Sequence, residues 1–128
     1  MRLRVETLTL KQDARGWVLE PLDGPGLRAQ ENAHLVMSVP GCVRGNHYHR
    51  RGTEVLVALG PALVRTREAG EIRDYVLDEG DVLRFTIPPR VSHAIRNTGA
   101  RPNCIIAFNT LAHDPSDPDV VPDPLIDP

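Results

Sequence analysis

The segment Gly41-Cys42-Val43-Arg44-Gly45-Asn46-His47-Tyr48-His49-Arg50-Arg51-Gly52-Thr53-Glu54 carries the reading of this chain. On a β-strand the side-chain period is two, so His47 and His49 face the same side and both imidazoles can point at one object. Glu54 follows after a turn-sized step and opens a second apolar run, Val55 to Leu59, which can bring a carboxylate beside them. Outward from this pair, β-rich runs recur at 2–10, 16–20, 34–39, 43–49, 54–59, 62–67, 71–77, 82–87, 92–97 and 103–110. Turn signals separate them, among them Asp23-Gly24-Pro25-Gly26, Pro40-Gly41, Gly60-Pro61, Ala69-Gly70 and Pro88-Pro89. Regular short strands at this spacing predict an all-β sandwich or barrel. With 12 Pro, 10 Gly and only 4% aromatics in 128 residues, a helical bundle is excluded, and the length is that of one domain with its own core.

A second segment, Pro88-Pro89-Arg90-Val91-Ser92-His93-Ala94-Ile95-Arg96-Asn97, supplies another imidazole just after a rigid turn. His47, His49, Glu54 and His93 together offer nitrogen and carboxylate donors that suit a divalent first-row metal, zinc foremost, with iron, manganese or nickel open. A single strand histidine is usually a hydrogen-bonded surface or core residue, and Glu54 alone reads as a solvated charge. The joint spacing is what points to a metal site.

Gly41-x5-His47-x-His49-x4-Glu54-x5-Gly60, followed by Gly80-x7-Pro88-x4-His93-x3-Asn97, resembles the two signature motifs of the cupin superfamily. That resemblance implies a double-stranded β-helix, the jelly-roll barrel, over residues 1–113. Arg44-Gly45-Asn46-His47-Tyr48 with Asp13-Ala14-Arg15-Gly16 is similar to the paired signatures of the dTDP-4-dehydrorhamnose 3,5-epimerase group. The run Arg44 to His49, then Thr53-Glu54, Ile87-Pro88-Pro89 and the Asp-Pro tail resembles the cupin epimerase domain of bifunctional capsule-biosynthesis enzymes more closely. The resemblance runs from about residue 12 to the end of the 128. It implies an epimerase or isomerase acting on a 4-keto-6-deoxy nucleotide sugar in polysaccharide biosynthesis, with residues 114–128 packed on the barrel or on a partner subunit.

The chain departs from that family at four positions. Gly52 stands where the capsule domain has Lys, Arg90 where it has Gly, and Phe108 and Leu111 where it has Trp and an acidic residue. The reductase domain that accompanies it there is not among these residues.

Epimerisation beside a ketone needs a base, stabilisation of the enolate and reprotonation from the other face. In the metal-free relatives the His matching His47 is the base. A nitrogen on a metal cannot do both tasks, so here the metal is expected to act as Lewis acid and the base is unassigned. Tyr48, Tyr75, His34 and His113 are the candidates, and Arg44 and Arg15 are carried over as phosphate or sugar contacts. Strict alternation puts Arg44 on the face opposite His47, so it reaches the pocket only if a bulge intervenes.

Charge adds little. A net charge of −2, with 14 Arg and a single Lys, contains no basic block of the kind nucleic acid requires. Residues 114–128 hold five Asp, no base and five Pro, an extended tail without regular structure. Charges at positions 2, 4 and 6 interrupt any leader-like run, and no stretch approaches the ~18 apolar residues of a membrane span, so a cytoplasmic protein is expected. Cys42 and Cys104 lack CxxC spacing and read as small hydrophobes. A homodimer is expected, because small jelly rolls commonly protect sheet edges by exchanging strands. Two other function classes stay open: a metal-dependent cupin oxygenase, since the same donor set holds redox iron, and a non-catalytic small-molecule-binding cupin.

Overall fold

Burial alternates from Ala62 to Arg67, with Ala62, Val64 and Thr66 inward, and this is the pattern of a strand with one face on a core. The computed structural model describes residues 1–128 and consists almost wholly of such strands. They are β1 (Arg4–Leu8), β2 (Lys11–Asp13), β3 (Gly16–Val18), β4 (Asn32–Ser38), β5 (Val43–His49), β6 (Glu54–Leu59), β7 (Ala62–Glu68), β8 (Glu71–Leu77), β9 (Val82–Ile87), β10 (Ser92–Asn97), β11 (Asn103–Asn109) and β12 (Val120–Pro122). One short helix, α1 (Gly24–Arg28), begins at the Gly-Pro-Gly cluster, where a Pro in the first turn has preset φ and needs no hydrogen-bond partner. No helix is long and apolar enough to cross a membrane.

The strands form two antiparallel five-stranded sheets, β1-β9-β6-β11-β4 and β12-β5-β10-β7-β8. From β4 to β12 the chain passes repeatedly from one sheet to the other, and the two inner faces close on a core of ten residues that includes Leu56, Val64, Leu77, Phe85, Ile87 and Ile95. This is the double-stranded β-helix expected above. Each fully buried aliphatic or Phe side chain contributes about 1.5–3 kcal/mol to the fold. β6 is buried on both faces, because its outward Val55 and Val57 are covered as well. Arg84, across from Val57, donates to the Pro21 carbonyl and so ties the segment before α1 over that face.

Three elements depart from the sequence expectation. The run 2–10 is strand only over Arg4–Leu8, and Lys11–Asp13 pairs with Gly16–Val18 as a separate hairpin whose strand residues are all exposed. α1 occupies a stretch read as a turn. The tail is not without regular structure, because Val120, Val121 and Pro122 pair with His49, Tyr48 and His47 as the edge strand β12. An edge is where a strand tolerates Pro, whose missing N–H leaves no ladder bond unmade.

Asn46 is one of the anchors of the tail. Asn46 has a φ of +58°, in the left-handed region that Asn tolerates better than most residues. There its side-chain Oδ1 accepts from the amides of Leu125 and Ile126, at 2.8 and 3.0 Å, and its Nδ2 donates to the Ile126 carbonyl at 2.9 Å. Asp123 adds contacts from the Arg67 guanidinium and the Ser92 hydroxyl. Ile126 is buried.

Candidate metal centre

β5 and β10 lie side by side, and His93 sits directly across from His47. One residue further along, the register slips, because Ala94 faces Gly45 and leaves Asn46 as the extra residue of a bulge. Only glycine fits beside it: Gly45 has a φ of +84°, and a Cβ there would lie 2.7 Å from the His93 carbonyl oxygen. The bulge lets β5 bend while His47 and His49 keep facing inward.

Glu54, at the start of β6 in the other sheet, closes the group. One donor atom from each of His47, His49, Glu54 and His93 lies within 4.8 Å of all the others. Glu54 Oε2 is 2.6 Å from His93 Nε2 and 3.5 Å from His49 Nε2, yet all three atoms are buried without a hydrogen-bond partner. Buried polar atoms are normally satisfied. Atoms this close that are not aligned as hydrogen bonds are disposed like ligands whose lone pairs converge on a shared point, so the donor set fits a divalent metal. His93 Nδ1 lies 3.2 Å from the Val91 carbonyl, which fixes the tautomer with Nε2 free to ligate.

The electrostatics favour the metal-ready protonation state at two of the four donors, His47 and Glu54. Burial and the neighbouring His93 push His47 down to about 4, only partly offset by Glu54, so its imidazole is neutral at neutral pH. Burial alone would raise the Glu54 carboxyl, but His93 and His49 outweigh it and hold it well below the usual range. Burial also pulls His49 down, and there Glu54 and Asp119 outweigh burial and leave it raised.

The centre borders a cleft of about 560 Å³ lined by His34, His49, Arg51, Asn109, Leu111 and His113, among others. His34 and His113 therefore share a space with a member of the cluster. Tyr75 does not: it lines a separate cavity of about 390 Å³ with Arg2, Thr66 and Arg73, its ring packed edge-on against Phe85. Tyr48 alternates to the face opposite His47 and His49 and lies across from Val121, so it is turned away from the centre.

The two arginines are placed elsewhere. The bulge brings Arg44 into register with the core residue Ile95, but its guanidinium donates to the Met37 carbonyl and the Ser38 hydroxyl, at 2.8 and 3.3 Å. Ser38 faces Asn103, whereas Glu54 faces Asn109 at the other end of β11, so Arg44 is engaged away from the histidine-carboxylate cluster. Arg15 pairs with Asp13 on the exposed hairpin.

Sequence reasoning missed Asp119. Its Oδ2 lies 3.5 Å from His49 Nδ1 and accepts the Gly52 amide at 2.9 Å, while its Oδ1 accepts the Arg51 amide at 2.9 Å. Gly52 makes the fit possible: a Cβ there would stand 2.5 Å from Asn109 Oδ1 and 3.1 Å from Asp119 Oδ2. Its only sequence signal was a glycine at a position where the resembling family has lysine.

An all-β barrel with a histidine-carboxylate cluster at one end of its sheets defines the class, a cupin. The chain belongs to the family described as Polysaccharide biosynthesis C-terminal domain, which it matches over residues 11–121. It is 28% identical over 127 residues to the spore coat polysaccharide biosynthesis protein SpsL of Bacillus subtilis (strain 168), covering 91% of this chain and 84% of SpsL. Among solved structures, the capsular polysaccharide assembling protein CapF of Staphylococcus aureus superposes with a TM-score of 0.67 at 26% identity, covering 92% of this chain. The chain spans only 34% of CapF. A variant of the 3,4-ketoisomerase QdtA of Thermoanaerobacterium thermosaccharolyticum, in complex with TDP-4-keto-6-deoxyglucose, shares the fold with a TM-score of 0.67 at 16% identity, over 94% of this chain and 86% of QdtA.

Proposed function

We propose that this chain is a metal-binding cupin that epimerises or isomerises a 4-keto-6-deoxy nucleotide sugar in polysaccharide biosynthesis. The observation that carries the proposal is the four-residue donor cluster bordering a cleft that also holds His34 and His113. His47, His49, Glu54 and His93 would hold a divalent ion, which when bound supplies a Lewis acid for the sugar carbonyl and its enolate. With those imidazoles committed to the metal, proton removal beside the ketone falls to the cleft. His34 and His113 line it, and an imidazole can take and return a proton near neutral pH. The related SpsL and CapF, both named for polysaccharide synthesis or assembly, and the keto-sugar complex of QdtA support this substrate class.

The test is incubation in D₂O with UDP- and dTDP-4-keto-6-deoxyhexoses. Deuterium entering beside the ketone supports the proposal. Full retention of hydrogen with every such sugar, by protein loaded with metal, rejects it.

The working unit in this reading is a homodimer. The hairpin β2–β3 pairs with neither barrel sheet and exposes Trp17 and Val18, and an isolated two-stranded hairpin is only marginally stable in water. β4, at one edge of its sheet, exposes Leu35 and Met37 on one face, and Leu35 is 72% exposed. A second copy would cover both.

A further inference from the structure

We infer that Asp119 is a positioning residue for His49, so that docking of the C-terminal strand completes the metal centre. The inference rests on the metal-binding reading above and extends it to a segment outside the motif-bearing strands.

The geometry is that of an outer carboxylate behind a ligating imidazole. His49 presents Nε2 to Glu54 and Nδ1 to Asp119, each at 3.5 Å from the nearest carboxylate oxygen, and both ring nitrogens are buried without an aligned hydrogen bond, so Asp119 is the acceptor that lies nearest to Nδ1. A carboxylate behind Nδ1 fixes the tautomer with Nε2 bare and makes that nitrogen a better donor. At His93 the corresponding place behind Nδ1 is taken by the Val91 carbonyl, hydrogen-bonded at 3.2 Å. His49 has no such carbonyl, and Asp119 fills the role.

The carboxylate is itself held in place. The amides of Arg51 and Gly52 bind its two oxygens, the Arg50 amide donates to the Asp119 carbonyl at 2.8 Å, and the absent Cβ of Gly52 leaves room for it. The loop between β5 and β6 therefore grips Asp119 and aims it at His49. Because Asp119 immediately precedes β12, anything that lifts the tail also removes the carboxylate. Linkage is reciprocal, so metal bound at the centre should in turn hold the tail down.

The test compares the full chain with Asp119→Asn, Asp117→Asn and His49→Ala. Asp117 pairs with Arg50 and Arg51 on the same tail without touching His49, and it controls for loss of a tail carboxylate. Zinc affinity is read by competition with a chromophoric chelator. The tautomer of His49 is read by ¹⁵N NMR on metal-free protein at alkaline pH, where the ring is neutral. A purely structural role for Asp119 would not move the tautomer.

The expected result is zinc affinity about 10–100-fold weaker in Asp119→Asn and unchanged in Asp117→Asn, with His49 losing its preference for the Nδ1–H form only in Asp119→Asn. An unchanged His49 tautomer in Asp119→Asn overturns the inference, as does wild-type zinc affinity in that variant. Failure of the wild-type protein to bind zinc or any other divalent metal would reject the metal-binding reading instead. The metal-free tautomer measurement still decides what Asp119 does to His49.

Discussion

The amide of Arg90 donates to the carbonyl of His49 at 2.8 Å, which pins the turn before β10 to the end of β5. That turn sets the start of the strand carrying His93. Arg90 adopts a φ of +70° there, in the region that favours glycine and costs a non-glycine residue about 1–2 kcal/mol. Arg90→Gly keeps the amide and removes the strain, offset in part by the greater freedom of glycine in the unfolded chain. The variant should be more stable by up to about 1 kcal/mol, seen as a higher urea midpoint. A lower midpoint would show that the Arg90 side chain holds the turn.

Metal retention should follow the donor list. His47→Ala, His49→Ala, Glu54→Gln and His93→Ala each remove one donor and should purify with sharply reduced metal. His34→Ala and His113→Ala, in the adjoining cleft, should keep near-normal metal while losing proton exchange with a keto-sugar substrate. Elemental analysis of protein prepared in parallel reads the first effect. Unchanged occupancy in both His47→Ala and His49→Ala would remove the metal centre.

Asn46→Ala breaks three side-chain hydrogen bonds to the tail and leaves an alanine in the left-handed region. At about 0.5–1.5 kcal/mol net for each bond, the loss should be about 2 kcal/mol or more. Cleavage within residues 114–128 by a broad-specificity protease should accelerate while the barrel stays intact. Equal rates in the variant and the wild type would mean that the other contacts suffice.

Asp123 gives a signed dependence on pH. The Arg67 guanidinium and the Ser92 hydroxyl hold its carboxyl below the usual range. A depressed carboxyl stabilises the fold fully above its unfolded value, near 3.9, and loses that contribution as pH falls through the lower folded value. The stability gap between wild type and Asp123→Asn should be constant from pH 7 to about 5 and close on acidification below about 4. A gap that widens in acid would reverse the assignment.

If a second copy covers β4, placing charge there should separate the subunits. Leu35→Arg, at an exposed edge-strand position, should give a monomeric mass by light scattering with an unchanged far-ultraviolet circular dichroism spectrum. A monomeric wild-type protein at micromolar concentration would dispose of the dimer.

The strands carrying the centre were legible because Gly and Pro turn signals bound them and β6 is an apolar run, and 43–49, 54–59 and 92–97 agree with β5, β6 and β10 to the residue. The shared direction of His47 and His49 follows from the period of two alone. What stayed hidden lacked a periodic signature. β12 has two valines among prolines and acids, too few to set a pattern, and it exists only because the β5 edge is there to receive it. Asp119 was one of five Asp in the tail, and nothing local connects it to His49. The bulge at Asn46 was written in Gly45-Asn46, yet its effect on Arg44 depended on where the guanidinium found partners, at Met37 and Ser38.

Every ladder that builds the centre joins strands remote in sequence: β5 to β10, β6 to β11, and β12 back to β5. Chains dominated by such non-local pairing fold in about milliseconds to seconds, because long loops must close before any contact repays their entropy. The donor cluster therefore comes together only after these distant segments have met, as a product of the assembled sheets and not as a local nucleus around which they gather.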